Sequence, residues 1–121
     1  MDFNLSEEQQ YVRDVARKFA DERLYPRAGE FDHNAELDRE AIKEMADLGL
    51  MGVKVPEDYG GTGLDNLAYT ISIEELARGC ASHALVAAVH GSLFAMPLLE
   101  FGTEEQKQKF LPPVCAGEKM A

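Results

Sequence analysis

The sequence predicts an all-α domain, an up-and-down helical bundle of about five helices. Three observations carry that reading. Apolar residues recur at spacings of three and four along most of the chain, the period of a half-buried helix. Two segments open in the form of a capping box, Ser6 with Gln9 and Thr103 with Gln106, where side chain and backbone satisfy each other's free amides. Only Val53 and Val55 alternate as a strand would, and Pro56 cuts them short. With 121 residues, 45% hydrophobic and 28% charged, the chain suits one ordinary domain over 1–121, large enough for a core without staples.

The first helix starts behind Ser6 and turns Tyr11, Val12, Val15, Phe19 and Leu24 to one side. Pro26 and Gly29 are expected to weaken or end it. Asp38 caps a second helix that presents Ile42, Met45 and Leu48, with Gly49 as its left-handed terminator. Val53 to Val55 then predicts a short extended segment, and PEDYGGTG at 56–63 a tight, non-helical loop. The third helix opens at Asp65 with a stripe of Tyr69, Ile73, Leu76, Ala77 and Cys80. Ser82 is the expected cap of a fourth helix, 83–101, apolar on nearly every face and so expected to be buried on several sides. Gly102 ends it. In the fifth, Glu104 and Glu105 suit the positive first turn, Phe110, Leu111 and Val114 point inward, and Pro112 and Pro113 break or restart the last turns.

Charge and chemistry narrow the function classes. Twenty-two acidic residues against 12 basic leave a net charge of −10, which argues against nucleic acid and is repelled by anionic membranes. The longest apolar stretch, Ala84 to Leu99, is too short to span a bilayer and is broken by His90, Gly91, Ser92 and Pro97, so no membrane insertion is expected. The acidic, polar N-terminus does not read as a targeting segment, and Cys80 and Cys115 suit a reducing compartment; the expected location is cytoplasmic. His33, His83 and His90 lack partners at metal-ligand spacing, so no metal is expected, and His90 reads as a core histidine bonded to a backbone carbonyl. Ser92 has no nucleophile-elbow context. Glu74 and Glu75 point about 100° apart on a helix, which suits a solvated or ion-paired face better than an acid–base pair. The loop Tyr59-Gly60-Gly61-Thr62-Gly63 lacks the lysine of a phosphate-binding loop and reads as a structural turn.

Six blocks in a fixed order carry a more specific signal: FNLSEEQQ at 3–10, ARKFADERLYP at 16–26, LGLMGVKVPEDYGGTGL at 48–64, ISIEELARGCAS at 71–82, HGSLFAMPLLEFGTEEQKQKFLP at 90–112 and AGEKMA at 116–121. Together they resemble the N-terminal helical domain of the FAD-dependent acyl-CoA dehydrogenases, over the whole chain. The resemblance implies an enzyme of fatty-acid β-oxidation with three domains, helical, β and helical, that oxidises acyl-CoA to trans-2-enoyl-CoA. A carboxylate takes the α-proton, the β-hydrogen leaves as hydride to FAD, and electron-transferring flavoprotein reoxidises the flavin. On this reading the middle β domain and the C-terminal helical domain lie outside the chain, so no catalytic residue is assigned, and the chain alone is expected neither to hold FAD nor to turn over.

The resemblance further implies an acyl-pocket wall at Leu85, Val86, Val89 and Leu93, and a partner-docking groove near Phe19, Thr62 and Leu64. Bulky apolar groups at Leu85 and Val89 favour short or branched acyl chains; the alternative is that the wall residues are simply core. Without a covering β domain the fourth helix is expected to drive homo-oligomer formation. Two other readings remain: a stand-alone, non-catalytic interaction module or split subunit that binds a flavoprotein partner, and an acyl-CoA oxidase or related flavin monooxygenase.

Overall fold

A computed structural model describes residues 1–121 and shows five helical rods and no strand. The first rod is continuous from α1 (Glu7–Phe19) through a π-helical turn (Ala20–Leu24) into α2 (Tyr25–Asn34). Helix α3 (Arg39–Asp47) follows, then a single 3-10 turn (Glu57–Tyr59) and α4 (Asn66–Gly79). The fourth rod joins α5 (Ala81–Val89), a second π turn (His90–Ala95) and α6 (Met96–Phe101); α7 (Glu104–Cys115) closes the bundle. Helix α4 lies between α1 and α5. The main core gathers Phe19, Leu24, Ile42, Met45 and Leu76 between these rods, and a smaller cluster holds Val55, Ala95, Leu111 and Cys115.

Local signals place the helix starts. Ser6 and Thr103 make complete capping boxes with Gln9 and Gln106. Asp38 and Asp65 accept the amides of Ala41 and Ala68 through their carboxylates. Gly49 takes the left-handed conformation at φ 80°, and a Cβ there would lie 2.7 Å from the Thr62 methyl, so this turn demands glycine twice over.

Several expectations are corrected. Pro26 and Gly29 do not end the first rod; the fourth runs through Pro97 to Phe101, as expected. In each rod a π turn ends two residues before the proline: Tyr25 N–H bonds Ala20 O and Met96 N–H bonds Gly91 O, each five residues back. The widened turn moves away the carbonyl that a proline ring would strike and absorbs the missing amide. Helix α7 also runs through Pro112 and Pro113, whose carbonyls accept the amides of Ala116, Glu118 and Lys119.

The 53–55 segment is not a strand; it is a turn region clasped by the amides of Gly63 and Leu64, which donate to Val55 and Val53. Leu48 lies past the end of α3 and is half exposed. Phe110 is exposed too. On α4 the buried face is Ala68, Ile71, Ser72, Glu75, Leu76 and Gly79, while Ala77 is exposed. Small side chains let α4 approach α1 closely, which apolar spacing alone does not register. Only one residue, Cys80, separates α4 from α5, so Ser82 is already inside the helix and does not cap it.

Candidate functional site

The rod α5–α6 carries its small and polar residues inward. His83, Ala84, Ala87, His90, Gly91 and Ala95 are buried. Its bulky residues turn outward: Leu85 is 63% exposed and Leu93 72%. Val86 and Val89 are half-buried, Val86 against the main core. The expectation that this helix is buried on several sides is therefore corrected, and a purely core reading fails for Leu85 and Leu93. At 21 residues, Ala81–Phe101 is also longer than its apolar stretch suggested, and by length and composition alone could cross a membrane. Its inner face is committed to α4, and its outer face is the kind of apolar patch that marks an interface or a binding wall.

Two histidines anchor the inner face. His90, 1% exposed, has Nδ1 2.7 Å from Val86 O, while Nε2 accepts the Ala121 N–H at 3.1 Å. With Nε2 accepting, Nδ1 is the nitrogen that donates to the Val86 carbonyl. This is the core histidine the sequence suggested. His83 lies with Nδ1 3.1 Å from Cys80 Sγ; burial pushes its imidazole below the ordinary value, against the pull of Asp38.

A second apolar feature lies beside the start of α1. The start of α1 and the 48–64 segment enclose a groove of about 380 Å³, lined by Tyr11, Val15, Leu48, Val53, Thr62 and Leu64 among others. Glu7 and Glu8, in the first turn of α1, line it as well. Thr62 is fixed there by its hydroxyl, which donates to Val53 O at 3.1 Å. The structure thus brings Thr62 and Leu64 together in the groove. Phe19 stands apart, 7% exposed in the main core.

Ion pairs hold the frame between these surfaces. Glu75 receives Arg17 at 2.5 Å and Arg78 at 3.3 Å, and the Arg17 hydrogen bond holds its carboxyl below the usual range. Glu74 is exposed, so the pair is not an acid–base couple. Burial would raise the Asp38 carboxyl, but the Ala41 amide and Arg23 outweigh it and hold it low. The frame is electrostatic as well as apolar.

The sequence model described as "Acyl-CoA dehydrogenase, N-terminal domain" matches residues 6–118. The chain belongs to that family. A short-chain-specific acyl-CoA dehydrogenase of Clostridium acetobutylicum is 43% identical over 120 residues, 99% of this chain and 32% of the relative. Butyryl-CoA dehydrogenase from Megasphaera elsdenii superposes with a TM-score of 0.90 at 41% identity, over 99% of this chain and 32% of the other. A chain from the structure described as the electron transferring flavoprotein of Acidaminococcus fermentans gives 0.95 at 42%, again over 99% and 32%. The chain therefore spans about a third of the length of the relatives it matches.

In this acyl-CoA dehydrogenase N-terminal domain the glycine loop turns its amides inward. The amides that a phosphate would need in the glycine loop are spent inside it: Gly61 donates to Pro56, Thr62 to Gly52 and Gly63 to Val55. A Cβ on Gly61 would overlap the Val55 carbonyl, so its glycine serves a close backbone approach and not a ligand. No cluster of three or more His, Cys, Asp or Glu is arranged to hold a metal. Sequence reasoning missed the groove contributions of Tyr11, Val15 and Leu48, which read as ordinary apolar stripe. It also missed the side chains that hold the second π turn. Proline directly after an apolar helical run was the available signal.

Proposed function

We propose that this chain is the helical N-terminal domain of an enzyme that oxidises short or branched acyl-CoA thioesters to trans-2-enoyl-CoA, its α5–α6 face forming one wall of the acyl pocket. The outward Leu85 and Leu93, with half-buried Val89 between them, carry this reading, on a rod whose inner face is built from small and polar residues. Leu85, Val86, Val89 and Leu93 would bury the acyl tail, exclude water and limit chain length by bulk. FAD and the catalytic base belong to the full-length enzyme. The groove holding Thr62 and Leu64 would receive an apolar knob from electron-transferring flavoprotein, and Glu7, Glu8 and the −10 charge favour a basic surface around that knob. Both cysteines are free, which suits the cytoplasm.

The test is anaerobic addition of butyryl-CoA to the FAD-loaded full-length protein, read as bleaching of the flavin. Leu93→Glu should lower kcat/KM by about tenfold or more without releasing FAD. Failure of every short and branched acyl-CoA to bleach the flavin would overturn the reading. Leu64→Lys should slow electron delivery to the flavoprotein partner and spare the bleaching step. The 121-residue chain with its α5–α6 face uncovered should self-associate in light scattering, and Leu85→Lys with Leu93→Lys should disperse it. A monomer that binds no hydrophobic dye would contradict that expectation.

A further inference from the structure

The second π turn is held from outside its own helix. Tyr69, on α4, donates its hydroxyl to Ala88 O at 2.9 Å, and Ser92 donates to the same carbonyl at 2.6 Å. The Tyr69 ring lies against Gly91, where a Cβ would come 2.6 Å from Cε2 and 3.3 Å from the hydroxyl. Only glycine admits the ring there. Lys54 places its ammonium 4.3 Å from the centroid of the same ring, which ties Tyr69 to the 48–64 segment. His90 caps the neighbouring Val86 carbonyl.

These contacts matter because of what a π turn does to phase. Each added residue rotates the following helix by about 100°. Leu93 sits inside the turn, and α6 follows it, so the turn sets where Leu93 points relative to Leu85 and Val89 on the preceding helix. A π turn is less favourable than plain helix and persists where side chains take its freed backbone groups.

We infer that Tyr69 is a positioning residue for the acyl pocket: through Ala88 O and Gly91 it locks the π turn, and the lock fixes the alignment of Leu93 with Leu85 and Val89. This rests on the reading of the α5–α6 face as acyl wall. Tyr69 acts through the helix and not by touching the acyl group.

Tyr69→Phe keeps the ring and removes only the hydroxyl. In the FAD-loaded full-length protein, hydrogen exchange of the 92–96 amides should rise about three- to tenfold, the loss of one net hydrogen bond. The kcat/KM ratio of butyryl- to octanoyl-CoA should change about threefold or more, carried by KM and not by kcat. Gly91→Ala should move both readouts the same way, and Ser92→Ala less, because Tyr69 still holds Ala88 O. Unchanged exchange in Tyr69→Phe would overturn the lock. Raised exchange with an unchanged chain-length ratio would overturn the positioning role. If no acyl-CoA is turned over and exchange still rises, the pocket reading falls while the lock itself stands.

Discussion

The two π turns use one local device for opposite ends. The first, Ala20–Leu24, faces inward: Ala20 and Leu24 are buried, and Gly79 presses so closely that a Cβ would lie 2.8 Å from Ala20 O. Arg23 on Asp38 and Arg78 on Asp21 brace it with charge. The second, His90–Ala95, is held on its inner side by Tyr69 but presents Leu93 outward. Both let a rod continue past a proline. The first spends its extra residue on packing, the second on shaping a surface. A helix distortion is therefore read by what surrounds it, since the local geometry is alike in both.

The largest contrast comes from one substitution made in each turn. Leu24→Ala removes a side chain 2% exposed in the main core and should cost about 2–5 kcal/mol in urea unfolding. Leu93→Ala, 72% exposed, should stay within about 0.5 kcal/mol. Equal costs would erase the distinction.

Glu75→Gln should cost about 1–3 kcal/mol at pH 7, since it weakens the α1–α4 pairing beside the first turn. Because the Glu75 and Asp38 carboxyls are held below their ordinary range, their contribution is full at neutral pH and is lost as pH falls through their lowered values. Acid unfolding of Glu75→Gln should thus be shallower below about pH 4, the ordinary carboxylate range. An unchanged slope would show that the pair does not anchor the frame.

His83 supplies a smaller effect in a different window. Burial lowers its folded pKa, so the unfolded chain binds the proton first and stability declines as pH drops below about 6.5. His83→Gln should flatten chemical-denaturation midpoints between about pH 6.5 and 5. The least costly measurement compares the thiols: Cys115 is buried with its pKa pushed up to about 11, whereas Cys80 is half-exposed. A thiol reagent at neutral pH should label Cys80 quickly and Cys115 only on unfolding. Equal labelling would mean that the smaller core cluster opens readily.

Much of this molecule was legible in the sequence wherever the cause was local. Ser6, Asp38, Asp65 and Thr103 start helices because a side-chain oxygen reaches amides two or three residues on, and Gly49 turns left-handed for want of a Cβ. The ordered motifs sufficed for the family. What only the tertiary structure decided depends on residues far apart in the chain. Glu75 could be buried because Arg17, 58 residues away, meets it. The groove exists because α1 packs beside the 48–64 segment. Leu85 and Leu93 face outward because small residues on the inner face let α5 and α4 close together. The π turns follow the same rule, since Gly79 against Ala20 and Tyr69 against Gly91 are contacts no local pattern encodes. Periodicity records that a helix has an apolar side; close packing between rods decides which side is covered and which is left for a ligand or partner.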